Sequence, residues 1–206
     1  MTGFDPKTFY QSEFVEHRAV AEATHRALEE SFGRLLAQAV ATIRNGGKIL
    51  FCGNGGSASD AQHLATELTV RYIKNRPAIA AIALTTDTSA LTAIGNDIGF
   101  EYLFSRQIEA IGKQGDLLIG ISTSGNSPNV IEAFKLARKM GIISVLFGGK
   151  GGGPALQHAD IALVVPSNTT GRIQEMHITL GQMLCGGLEL ALGIADGPAT
   201  HQSHSP

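Results

Sequence analysis

Short apolar runs punctuate the chain at regular intervals after its first forty-odd residues: 48–52 (KILFC), 78–84 (AIAAIAL), 116–122 (DLLIGIS), 143–147 (ISVLF) and 161–165 (IALVV). Most are aliphatic or β-branched at successive positions rather than at alternate ones, and helical patterns lie between them. A strand that is apolar on both faces has to be covered on both, which is the condition of a parallel sheet whose crossovers are helices. The pattern therefore predicts an α/β chain, a three-layer α/β/α sandwich around a central five-stranded parallel sheet. Ahead of the first run, residues 12–45 carry Leu28, Phe32, Leu35, Leu36, Val40 and Ile43 at spacings of three and four, a long N-terminal helix closed by Gly46-Gly47. Phe14, Val15, Val20 and Ala21 give its earlier half an apolar surface for the chain's own core or for a partner subunit. A final helix is expected over 171–192.

With 206 residues, 43% of them hydrophobic, the chain suits one domain, placed at 1–195. Residues 196–206 read as a disordered tail, so His201 and His204 are not expected to be ligands. A formal charge of −2 without a basic stripe argues against nucleic acid. The first residues form no apolar signal core, and no run approaches the roughly 20 apolar residues of a membrane span. The expectation is a soluble, cytoplasmic protein. Cys52 and Cys185 form no CxxC pair and read as buried free thiols.

Ligands of such a sheet bind beyond the carboxyl ends of the strands. In the first turn there, Gly53-Asn54-Gly55-Gly56-Ser57, glycines admit positive φ and close backbone approach, and Ser57 is placed to cap the helix that follows. It suits an oxyanion or sugar hydroxyls, or serves as a plain tight turn; it has neither GxGxxG spacing nor a GK[ST] ending, so neither NAD nor ATP is indicated. The second turn, Ser122-Thr123-Ser124-Gly125-Asn126-Ser127-Pro128-Asn129, gathers hydroxyls at a helix start without a cationic side chain, a cradle for a phosphate monoester met by dipoles. In the third, Thr86-Asp87-Thr88-Ser89 leads to Asn96 and Asp97, which would hydrogen-bond sugar hydroxyls or simply form a turn.

His63 and Glu67 stand four apart, on one face of the helix after the glycine turn. Gln174, His177 and Gln182 fall in one polar sector of the last helix. Together the two helices could gather His63, Glu67, Gln174 and Gln182 around one point, as a polar network or as a divalent metal site with zinc-compatible donors.

The segments CGNGGSASDAQHLATEL, ALTTDTSALTAIGND, ISTSGNSPNV and RIQEMH, in that order, closely resemble the phosphoheptose isomerases of the sugar isomerase (SIS) domain superfamily, over about residues 10–193. The resemblance implies a bacterial, cytosolic homotetramer that converts sedoheptulose 7-phosphate to D-glycero-D-manno-heptose 7-phosphate for lipopolysaccharide or other surface glycans. It places phosphate on Ser122, Thr123, Ser124 and Ser127, and the sugar on Asn54, Gly55, Gly56, Glu67, Asn96, Asp97 and Gln174. It gives one zinc ion the ligands His63, Glu67, Gln174 and the position eight residues on. There the family carries a histidine, a ligand and the usual second acid or base, and this chain carries Gln182. An amide coordinates through oxygen or holds a water, but it does not shuttle a proton near neutral pH.

On this reading Glu67 is the base of an enediol isomerisation, and a metal held by His63 and Glu67, or the imidazole of His63 itself, polarises the carbonyl. The proton between the oxygens passes through water held at Gln182, or through His177 or Asp97. Two alternatives stand beside it: a catalytically altered relative that partners the replication initiator, and an isomerase of another sugar phosphate. Pockets in this fold are often completed by a neighbouring chain, so these residues belong to one site or are shared between two.

Overall fold

The computed structural model describes residues 3–194, so the tail with His201 and His204 lies outside the described residues. Its elements are α1 (Pro6–Arg44), β1 (Ile49–Gly53), α2 (Gly56–Thr69), β2 (Ala81–Ala83), α3 (Thr88–Asp97), α4 (Ser105–Ile111), β3 (Leu117–Ser122), α5 (Pro128–Met140), β4 (Ile143–Gly149), β5 (Ile161–Val165) and α6 (Thr170–Ala191). The strands form one parallel sheet in the order β2-β1-β3-β4-β5. This is the α/β/α sandwich that the apolar runs predict.

Alternation in the strands sorts the core into two. Ile49, Phe51, Leu117, Ile119, Ile121, Val145 and Phe147 pack beneath α1, α2 and α6. Leu50, Cys52, Leu118 and Leu146 pack on the other side beneath α3, α4 and α5. At the amino ends of the strands, the buried Asp116 carboxylate accepts from Lys48 N (2.9 Å), Lys48 Nζ (2.6 Å) and Lys113 N (2.8 Å), which ties β1 to β3. Cys52 and Cys185 are buried free thiols, and burial raises both above the usual thiol range.

Three local expectations are corrected. Helix α1 starts at Pro6 rather than near residue 12, because Asp5 accepts from Lys7 N (3.1 Å) and Thr8 N (3.3 Å) and Pro6 supplies a preset φ. Strand β2 keeps three residues, with Ile82 40% exposed, since an edge strand has one neighbour and is not covered on both faces. Ser57 does not cap α2. Gly55, at φ 57, turns the chain into the helix two residues earlier, and Ser57 is buried in the first turn, close against Gly53.

Candidate functional site

The strand order reverses between β1 and β3, because the chain leaves β1 towards β2 on one side and takes up β3 on the other. At such a switch point the turns beyond the carboxyl ends diverge and open a crevice. The glycine turn after β1 and the hydroxyl turn after β3 lie on its two sides. They are joined by a reciprocal amide pair: Asn54 Nδ2 donates to Asn129 Oδ1 and Asn129 Nδ2 to Asn54 Oδ1, both at 2.9 Å. Asn129 is fully buried at the start of α5.

Within the hydroxyl turn, Ser122 Oγ and Ser127 Oγ are 3.0 Å apart, and Ser122 Oγ also accepts from Gly125 N at 3.1 Å. Ser124 Oγ accepts from Asn126 N at 3.2 Å. Ser127 is the N-cap residue, but its hydroxyl faces Ser122 rather than an α5 amide. Pro128 carries no N–H and Val130 N donates to Ser127 O at 3.1 Å, so Asn129 N is the amide left at the positive dipole end of α5. The loop after β4 closes over it: Gly125 has φ +66, a Cβ there would overlap Gly152 O, and Ala155 N donates to Gly125 O at 3.0 Å. A cleft of about 400 Å³ borders the glycine turn, lined by Asn54, Gly55, Thr85, Thr92 and Phe100. A wider depression of about 560 Å³ lies against α4 and α5, where Arg106 and Lys135 already face Glu109 and Glu132.

Helix α2 leads back from the glycine turn, and its pair is formed: His63 Nε2 and Glu67 Oε1 are 3.0 Å apart, with side chains 46% and 21% exposed. An exposed pair of this spacing stabilises a helix by only about 0.3–0.5 kcal/mol, so stability is a weak reason for it. At about 1.5 Å per residue, His63 and Glu67 stand roughly 10 and 16 Å along the axis from Gly56. Helices α2 and α6 run side by side in the same direction: Gln174 Nε2 crowds Gly56, Leu64 fills the space over Gly181, and the Tyr72 ring lies against Gly186. Gln182 therefore stands level with the His63–Glu67 pair, although among the described residues no hydrogen bond joins it to either.

Other expected residues are placed elsewhere. His177 is buried against Phe147, with Nε2 2.9 Å from Gly148 O on β4, and burial lowers its pKa to about 4. Asn96 and Asp97 bond each other at 2.7 Å on the exposed last turn of α3 and do not line the cleft. Asp60, one turn before His63, is a candidate that spacing alone did not single out: burial raises its pKa and the imidazole lowers it.

As a zinc site the set is thin. His63 and Glu67 are two strong donors, Gln174 and Gln182 are neutral amides, and Gln174 is drawn to Gly56. Among the described residues no three His, Cys, Asp or Glu side chains converge. Structural and catalytic zinc sites usually offer three or four such donors, so one chain's residues do not fit a tight zinc site.

Residues 14–147 match the SIS domain family. The phosphoheptose isomerase of Paramagnetospirillum magneticum is 54% identical over 182 residues, 88% of this chain and 95% of its own. That of Campylobacter jejuni is 54% identical over 177 residues, 85% of this chain and 94% of its own. The solved phosphoheptose isomerase of Neisseria gonorrhoeae superposes with a TM-score of 0.86 at 43% identity, covering 90% of this chain and 100% of that one. For the enzyme of Francisella tularensis the TM-score is 0.88 at 33% identity, over 91% and 100%. Two coupled turns at the switch point, and relatives aligned along nearly their whole length, lead to one statement: the chain belongs to the SIS domain family and, within it, to the phosphoheptose isomerases.

Proposed function

We propose that the chain converts sedoheptulose 7-phosphate to D-glycero-D-manno-heptose 7-phosphate by an enediol aldose–ketose isomerisation. The observation that carries this is the uncharged hydroxyl cradle at the start of α5, locked through Asn129 to the glycine turn at Asn54. Ser122, Thr123, Ser124, Ser127 and the Asn129 amide at the start of α5 receive the phosphate, and Asn54, Gly55, Gly56 and Gln174 receive sugar oxygens. Glu67 takes a proton from C1 of the ketose and returns it to C2, while the proton on O1 is delivered to O2. His63, hydrogen-bonded to Glu67, orients the carboxylate and offers an imidazole to the oxygens of the enediol. Gln182 holds the water through which the oxygen-to-oxygen transfer runs, and Asp60 is a further proton source one turn before His63. No step is routed through zinc.

The working form is a cytoplasmic homotetramer supplying heptose for surface glycans. Its assembly is supported by α1, where no residue before Val20 is buried and Phe9, Tyr10, Phe14 and Val15 are 52%, 64%, 46% and 58% exposed. A second copy covering that surface also brings its own residues towards the open side of the site, which matters because the His63–Glu67 pair stands back from the glycine turn.

The test is aldose formation from sedoheptulose 7-phosphate by the purified chain, with and without a chelator, beside Glu67→Gln. Turnover that survives chelation is expected. Glu67→Gln should lose at least about a hundredfold in kcat while still binding sugar phosphate in calorimetry. A fully active Glu67→Gln removes that residue from the mechanism, and a wild-type protein inactive on this substrate removes the substrate.

A further inference from the structure

Between α2 and β2 the chain doubles back, and the return carries an ion pair enclosed in the protein. The side chains of Arg76 and Glu189 are 0% and 2% exposed. Arg76 Nε donates to Glu189 Oε1 at 2.6 Å, and that oxygen also accepts from Tyr72 N at 3.1 Å. The other arms of the guanidinium go to backbone. Nη2 donates to Glu67 O at 2.8 Å, and Nη1 donates to Leu68 O at 2.8 Å and to Pro77 O at 3.1 Å.

Burying two charges costs more solvation than their attraction commonly returns, and an apolar pair of equal volume would hold the return as firmly. An apolar pair would leave the last turn of α2 unfinished. The final carbonyls of a helix lack intrahelical donors. Here Val70 N reaches Thr66 O and Ile79 N reaches Leu68 O, whereas the carbonyl of Glu67 receives its bond from Arg76. A cation at a helix C-terminus is also favoured by the dipole. The planar guanidinium fork spans a carboxylate and three carbonyls at once, which a single ammonium does not.

We propose that Arg76, aimed by Glu189, is the positioning residue for Glu67: it fixes the backbone of the residue whose carboxylate moves the substrate's proton. The proposal rests on the role given to Glu67 above. Arg76 is fully enclosed and touches no substrate, so it acts only through that residue. The phosphate cradle stands on β3 and α5 and makes no bond to Arg76, which separates the two ends of the site.

The experiment compares the full-length chain, Arg76→Lys, and Leu118→Ala, a core change on the opposite face of the sheet from α2. The readouts are kcat and KM for sedoheptulose 7-phosphate, Tm, and amide hydrogen exchange along α2. In Arg76→Lys, kcat is expected to fall about tenfold with KM within about twofold, and amides of residues 67–70 to exchange about tenfold faster. Leu118→Ala is expected to lose at least as much Tm and keep kcat within about twofold. Wild-type kcat in Arg76→Lys, or kcat losses that simply follow Tm in both variants, overturns the proposal. If the wild type does not turn over this substrate, the reading of the site fails, and exchange decides the positioning: unchanged exchange at residues 67–70 overturns it. Should Arg76→Lys not fold, the pair replacement Arg76→Met with Glu189→Leu takes its place under the same readouts.

Discussion

An imidazole and a carboxylate one turn apart offer a divalent ion two strong donors, and what stands across from them decides whether it stays. Gln182 stands level with the pair on α6 and brings only an amide. Gln182→His is expected to retain about one zinc per chain after dialysis against a weak chelator, whereas the wild type loses it. Elemental analysis of the two dialysed proteins checks this. His177, three residues after Gln174, illustrates the opposite case of a histidine withdrawn from chemistry. The fold holds it neutral to about pH 4, while the unfolded chain takes up its proton near 6.5. Its folded pKa is the lower one, so stability is complete above pH 6.5 and declines as pH falls towards 4, by about 3 kcal/mol at the limit. His177→Gln, which keeps a donor for Gly148 O, should be less stable at pH 7 and should narrow the gap between denaturation midpoints at pH 7 and pH 4.5. Sequence spacing put His177 in the same sector as Gln174; that it turns to Gly148 O is set by β4 packing beneath α6, which no local pattern reports.

At the scale of elements, the contact of α2 with α6 brings the candidate residues to one level, and it depends on small residues. Leu64 occupies the place where Gly181 would carry a Cβ. Gly181→Ala should push the helices apart, costing about 1–3 kcal/mol as overpacking, and should lower kcat because Gln182 moves with its helix. Thermal melts and turnover of that variant give the measurement. The strands and the three turns were legible because buried parallel strands are continuously apolar and their turns are rich in glycine and hydroxyls. The start of α1 was missed: apolar periodicity placed it near residue 12, while the signal that marks it, Asp5-Pro6, is a cap and not part of the apolar pattern. The Asn54–Asn129 pair and the Arg76–Glu189 pair were not legible either, since their partners lie 75 and 113 residues apart and polar side chains leave no periodic mark. Ser57 misled for a related reason: a serine after glycines has the composition of a cap, and only the backbone at Gly55 shows that the helix has already begun.

For the whole molecule, continuous apolar runs predicted the sandwich and the alternating direction of strand side chains sorted them between its two cores, and among the described residues no helix is long and apolar enough to cross a membrane. What sequence periodicity left open is the use of α1. Its 39 residues make a rod of about 58 Å, longer than a domain of this size is wide. Its first turns meet the body at polar points, where Arg172 Nη2 holds Glu13 Oε2 at 2.9 Å and Thr169 Oγ1 holds Glu16 Oε1 at 2.6 Å, and they leave their aromatic rings outside. If those rings are covered only by another copy, the number of competent sites follows mass action. Specific activity should then be a property of concentration, falling along a dilution series together with scattering mass. Phe14→Asp should shift that curve to higher protein concentration, and a specific activity constant down to the monomer range would show that each chain works alone.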